Sequence, residues 1–164
     1  MRAIAAGQKP APDVIDRLIL PLVERAVPEW QLTLDEVLAL PEIGDKVGFS
    51  GGVISIATRL AAVDTRIAAA GLFAGSYVPS AIMEDARRVT IPLHVLLQWD
   101  DEGNDRAMAL ELFDAFASTE KTLYANMGGH TGVPQFAGEA AARFFVRHLG
   151  QAAPIVPAPE RRSH

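Results

Sequence analysis

Ser50 stands in the stretch Gly48-Phe49-Ser50-Gly51-Gly52, with a short apolar lead-in before it and a helix-like apolar run behind. A serine hydroxyl becomes a useful nucleophile when a neighbouring imidazole takes its proton. The imidazole in turn needs a carboxylate to hold its tautomer and to stabilise its charged form. Candidates for both partners follow downstream. Asp100 and Asp101 come directly after the apolar run Val95-Leu96-Leu97, and His130 lies inside Gly128-Gly129-His130-Thr131-Gly132. Assistance from such a base is worth about 10²–10⁴-fold. The glycines flanking Ser50 have a physical purpose as well. A serine on a sharp strand-to-helix turn occupies a strained backbone conformation with chain passing close on both sides. Glycines two residues before and after it leave room for that approach. The helix behind then directs its amides and positive dipole end at charge developing beside the serine.

Each residue alone has a commoner structural role: a turn serine, a capping or solvated aspartate, a surface-loop histidine. What sets them apart is where the elements place them. Pro12 and Asp13 open a helix on which Val14, Leu18, Leu22 and Val23 recur at helical spacing, with Ile15 and Ile19 beside them. Pro21 should kink it and Pro28 should end it. A second helix is expected over 29–40, with Trp30, Leu34, Val37 and Leu38 inward. Residues 46–49 read as a strand leading into Ser50, followed by a buried helix over 52–62. The run Ile67-Ala68-Ala69-Ala70-Gly71-Leu72-Phe73 reads as a parallel strand covered on both faces. Residues 79–88 form a short helix, 91–99 a strand and 100–104 a polar loop. A helix over 105–117, a strand over 121–126 and a helix over 136–149 complete the pattern. Strands alternating with helices imply right-handed crossovers and a parallel sheet. Ser50, the aspartate pair and His130 then all lie at carboxyl ends of strands, where open α/β sheets build their sites.

Composition narrows the classes. The 164 residues suit a single domain over 1–150, with a proline-rich tail over 151–164 that reads as disordered. Residues 1–10 read as poorly ordered too. A net charge of −5 weighs against a nucleic-acid or anionic-membrane partner. The absence of cysteine excludes disulfides and a thiol nucleophile. No apolar run approaches the roughly 18 residues of a membrane span. The first residues are too short and weakly apolar for a secretory signal, so a cytoplasmic protein is the expectation. No metal cluster, phosphate-cradling loop or cofactor motif is present, and His94, His148, Trp30 and Trp99 read as structural.

The order serine, aspartate, histidine, with the serine in G-x-S-x-G, resembles the α/β-hydrolase superfamily, most closely its dienelactone-hydrolase-like branch. The likeness covers residues 13–149 and corresponds to the carboxyl-terminal two-thirds of that fold. It implies a three-layer α/β architecture with a mostly parallel sheet, and an esterase or lactone hydrolase acting on a small molecule. Ser50 matches the nucleophile, His130 the base and Asp101 the acid. Asp101-Glu102 with Arg106 at the next helix start favours Asp101 over Asp100. The amide of Gly51 would supply one oxyanion donor. The interval from Ser50 to Asp101 leaves no room for a lid domain, so an open site is expected.

One part of the resemblance is missing. Only 49 residues precede Ser50, too few for the strands that come before the nucleophile in that fold. The second oxyanion donor would lie among them. The strand leading into Ser50 is therefore expected to leave one side unpaired, guarded only by Asp45 and Lys46. Such an edge invites pairing with a second copy. Two functions remain open: a serine hydrolase, or a catalytically silent domain of this fold that binds a small molecule or a partner chain.

Overall fold

A computed structural model describes residues 10–150; the two expected disordered ends otherwise lie outside the described residues. The order is α1 (Pro12–Leu38), β1 (Val47–Ser50), α2 (Ile54–Val63), β2 (Ile67–Phe73), α3 (Ser80–Ala86), β3 (Leu93–Gln98), α4 (Arg106–Ala115), β4 (Lys121–Asn126) and α5 (Gln135–Leu149). The four strands form one parallel sheet in the order β1-β2-β3-β4. Because every crossover advances in the same direction and is right-handed, α2, α3 and α4 fall on one face. The chain that leaves β4 returns as α5 across the other face, giving three layers.

The two faces are packed very differently. Alternate residues Ala70, Leu72 and Ala74 of the second-strand segment and Leu93, Val95 and Leu97 of β3 join Ala57 of α2 and Ala109 and Leu112 of α4 in one buried cluster. The opposite parity brings Ser50, Gly71, His94 and Thr122 into one row. This row meets α5 alone. Phe145 sits so close to Gly48 and Gly71 that a β-carbon on Gly48 would lie 2.7 Å from its ring. His94 is wedged between Tyr124 and Phe144, with ring centroids 4.5 and 5.5 Å away. Burial pushes the His94 pKa below its ordinary value.

α1 corrects two expectations. It runs unbroken through both Pro21 and Pro28. Each proline removes one backbone donor, but the two lie seven residues apart on the exposed side, where water can serve the orphaned carbonyls. The buried seam also departs in part from the expected one: Val23 and Leu34 lie in it, whereas Trp30 and Val37, expected inward, are exposed. Ile19, Val23, Val27 and Leu34 pack with Leu60 of α2, Ile67 of β2 and Ile82 of α3, whereas Leu18 and Leu22 face solvent. A continuous apolar seam with neighbours to bury it outweighs the local cost of a proline. Arg66 adds a polar tie. Its guanidinium pairs with Asp64 (2.7 Å) and with Asp35 of α1, and donates to the Gln31 carbonyl (3.2 Å).

Candidate active site

The carboxyl ends of β3 and β4 are joined by side-chain chemistry. Asp101, in the loop after β3, is buried, and its Oδ2 lies 2.8 Å from Nδ1 of His130. Its other oxygen accepts the Gly103 amide at 2.9 Å, which fixes the carboxylate in a turn. With Nδ1 carrying the proton toward Asp101, Nε2 of the exposed His130 ring is left as the basic nitrogen. Asp100 has a different partner. Its carboxylate accepts the amides of Gly128 (2.9 Å) and Gly129 (2.9 Å) and so fastens the loop that carries His130. Those two amides, Gly129 first, hold the Asp100 carboxyl below the usual carboxylate range. Gln98, the last residue of β3, completes the clamp by donating from Nε2 to the Gly129 carbonyl at 2.8 Å. Of the adjacent aspartates, only Asp101 meets the imidazole.

The loop itself needs glycine. Gly128 has φ of +134°, and a β-carbon there would come within 2.3 Å of the Gly132 carbonyl oxygen. Gly132 N–H closes the ring by donating back to the Gly128 carbonyl at 3.1 Å. His130 is thus presented on a small, tightly closed loop.

The serine end is less assembled. Ser50 is the final residue of β1, paired opposite Gly71. The positive φ values fall on Gly51 (+79°) and Gly52 (+71°), and Tyr77 is the one non-glycine residue with positive φ among those described. The turn is therefore made by the two glycines after the serine, and α2 begins at Ile54, two residues later than expected. This corrects the expectation of a strained serine. The Gly51 amide, the expected oxyanion donor, is engaged with the Gly71 carbonyl at 3.0 Å. Among the described residues no hydrogen bond joins Ser50 to His130. Phe73 touches both neighbourhoods: its ring meets that of His130 edge-on at 5.7 Å, and it shares a small cavity with Ser50.

No protein-family model matches the chain, and no curated protein matches it. Among solved structures, a cold-adapted esterase from an Arctic intertidal metagenomic library is 28% identical in its PEG-bound and native forms. The TM-scores are 0.67 and 0.68, over 74% and 75% of this chain. The esterase Pf2001 of Pyrococcus furiosus superimposes with a TM-score of 0.60 over 78% of the chain at 12% identity. The fold is α/β-hydrolase-like. The chain spans 54% and 58% of the length of the two cold-adapted esterase chains and 62% of the Pyrococcus chain.

Within this α/β-hydrolase-like fold, β1 is a sheet edge, bonded among the described residues to β2 alone. No group of three or more potential metal-ligating side chains occurs among the described residues, and none of their helices is long and apolar enough to cross a membrane. Sequence reasoning missed Gln98 and the clamping role of Asp100. Gln98 had a signal: it is a polar residue ending the apolar run of β3, at a position buried in the structure.

Proposed function

We propose that the protein is a serine hydrolase of ester or lactone bonds in small molecules, related in chemistry to the dienelactone-hydrolase-like branch. The observation that carries this reading is the 2.8 Å bond between buried Asp101 and His130 at the carboxyl ends of adjacent strands. In the proposed reaction Ser50 Oγ attacks the ester carbonyl while His130 Nε2 takes its proton. The bond from carbonyl carbon to alkoxy oxygen then breaks, and His130 returns the proton to the departing alcohol. Water, deprotonated by the same ring, releases the acid and restores Ser50. Asp101 keeps the imidazole oriented and stabilises its cation throughout. Gly51 N–H serves the oxyanion when it exchanges its bond to Gly71 for one to substrate; the two glycines at positive φ give that segment the freedom to do so.

A second reading, a silent domain of the same fold that binds a small molecule or a partner chain, draws on the unjoined Ser50 and the engaged Gly51 amide. A fluorophosphonate probe followed by peptide mapping separates the two. Labelling at Ser50 that falls away in His130→Ala supports the hydrolase; no labelling, or equal labelling in the variant, sinks it. The unpaired edge of β1 motivates a further proposal, a two-fold homodimer formed by edge pairing. Light scattering across a dilution series tests it, and a monodisperse 17.6 kDa species at every concentration would remove it.

A further inference from the structure

α5 crosses the sheet without covering β4, so that Thr122 and Tyr124 stay exposed on the face they share with buried His94. Between β4 and α5 lies a hollow of about 200 Å³, open on one side to solvent. Its lining is of two kinds. Leu93, Ala140 and the neighbouring rings of His94, Tyr124 and Phe144 give it an apolar wall, with ring centroids 4.5 and 5.5 Å from that of His94. Arg143 and Arg147 stand on the same stripe of α5 as Ala140 and Phe144, three or four residues apart along the helix. Glu120 is the one carboxylate in the lining, and Arg147 takes it up at 2.9 Å. Arg143 meets only Glu139, a turn back on α5, at 4.0 Å. Two guanidiniums against one carboxylate leave the hollow with a surplus positive charge, on a chain whose net charge is −5. Arg147, in the last turn of α5, suits the helix dipole and needs no ligand to explain it. Arg143 lies a turn earlier, where that reason fails.

We infer that this hollow binds a small aromatic carboxylate, its ring against Tyr124, His94 and Phe144 and its carboxylate on Arg143. The size agrees. An apolar cavity of about 150 Å³ admits benzene, and the larger volume here adds room for one carboxylate. The chemistry agrees as well. A guanidinium presents paired N–H donors that match the two oxygens of a carboxylate, and it is weakly enough hydrated to sit beside aromatic rings. An inorganic anion would leave the rings unused, and a neutral aromatic would leave Arg143 without a partner from the ligand. The hollow lies at the starting ends of β3 and β4, whereas Asp101 and His130 lie beyond their carboxyl ends. The assignment therefore does not depend on Ser50 acting as a nucleophile.

Titration of the isotope-labelled chain with benzoate, benzamide, acetate and phosphate, followed by amide chemical shifts, reads this without any variant. Benzoate is expected to saturate a single site with a Kd of about 1 mM. The shifts should centre on Thr122, Tyr124, Ala140 and Phe144 and spare Gly51 and His130. Benzamide, acetate and phosphate should each bind about tenfold more weakly or worse. Arg143→Gln should weaken benzoate by about tenfold with thermal unfolding unchanged, since that side chain is 72% exposed. Ala140→Leu keeps both charges, fills the hollow and should abolish binding. Acetate or phosphate binding as well as benzoate would reduce the hollow to a charged surface and overturn the assignment. Benzamide binding as well as benzoate would reduce it to an apolar contact, with the same result. Benzoate that fails to saturate, or whose shifts centre on Gly51 and His130, overturns it too, the latter by placing the aromatic acid at the candidate active site.

Discussion

The two ends of the candidate site are built to different standards. At the β3–β4 end, Asp101, Asp100 and Gln98 make four hydrogen bonds to the loop at 128–130, and that loop is closed on itself by Gly128 and Gly132. At the β1 end, the serine sits on a four-residue strand bonded, among the described residues, on one side only, and is followed by two glycines at positive φ. The difference shows what a strained nucleophile requires. A serine persists in a sparsely populated backbone conformation only when surrounding structure over-determines it. β3, flanked by strands on both sides, has that support; β1 does not. The strain moves to Gly51 and Gly52, where it costs little.

The largest effects test whether both ends serve one reaction. Ser50→Ala is expected to lower kcat by about 10⁶-fold and Asp101→Asn by about 10⁴-fold, with circular dichroism unchanged. Equal, small losses in the two variants would show that the assembled end has no catalytic partner at β1. Asp100→Ala should cost less, about 10²-fold, by letting the His130 loop drift. The pH profile gives this its sign. The folded Asp100 pKa lies below the unfolded value of about 3.9, so the clamp is intact above that pH and weakens only as pH falls through the depressed value. An Asp100→Ala profile that loses activity evenly between pH 6 and 8 is expected. A loss confined to the acid end would assign Asp100 to proton transfer instead.

Smaller effects compare the glycines. Gly128→Ala forces a β-carbon against the Gly132 carbonyl and should destabilise by about 3 kcal/mol, while Gly51→Ala meets nothing within 4 Å and pays only for its positive φ, about 1 kcal/mol. Thermal unfolding of the two variants checks the order. The smallest expected effect lies under α5. The pKa of His94 is depressed below 6.5, so the protein is fully stabilised above that pH and loses stability as pH drops below it, by at most about 1.4 kcal/mol per unit. His94→Phe should flatten that limb in a urea titration at pH 5–7.

Much of this was written plainly in the chain. Continuous apolar runs announced β2 and β3, and glycine-rich breaks placed Ser50 and His130 at strand ends. The aspartate pair was legible only as a pair. Neighbouring residues leave a strand end in different directions, and the turn through Gly103 decides which one meets the imidazole. The geometry of the serine turn was not legible, because it depends on how many strands flank β1. Pro28 misled for a related reason: a proline's cost is local, whereas the seam through Val23, Val27 and Leu34 that outweighs it is tertiary.

That helix has a consequence in time as well as in space. Pro21 and Pro28 have no amide protons and leave the carbonyls of Arg17 and Glu24 without their intrahelical donors. The 27 residues of α1 are thereby divided into three stretches with a weakened joint between each pair. Under native conditions they need not open together. The stretch ending near Asp35 is tied down through Arg66, while the first turns rest on little more than Ile15 and the hydrogen bond that the Ser80 amide donates to Asp16 at 2.9 Å. Amide exchange along α1 should therefore proceed in steps, fastest at the beginning and slowest from Val23 onward, so that a single helix behaves as a sequence of separately opening units.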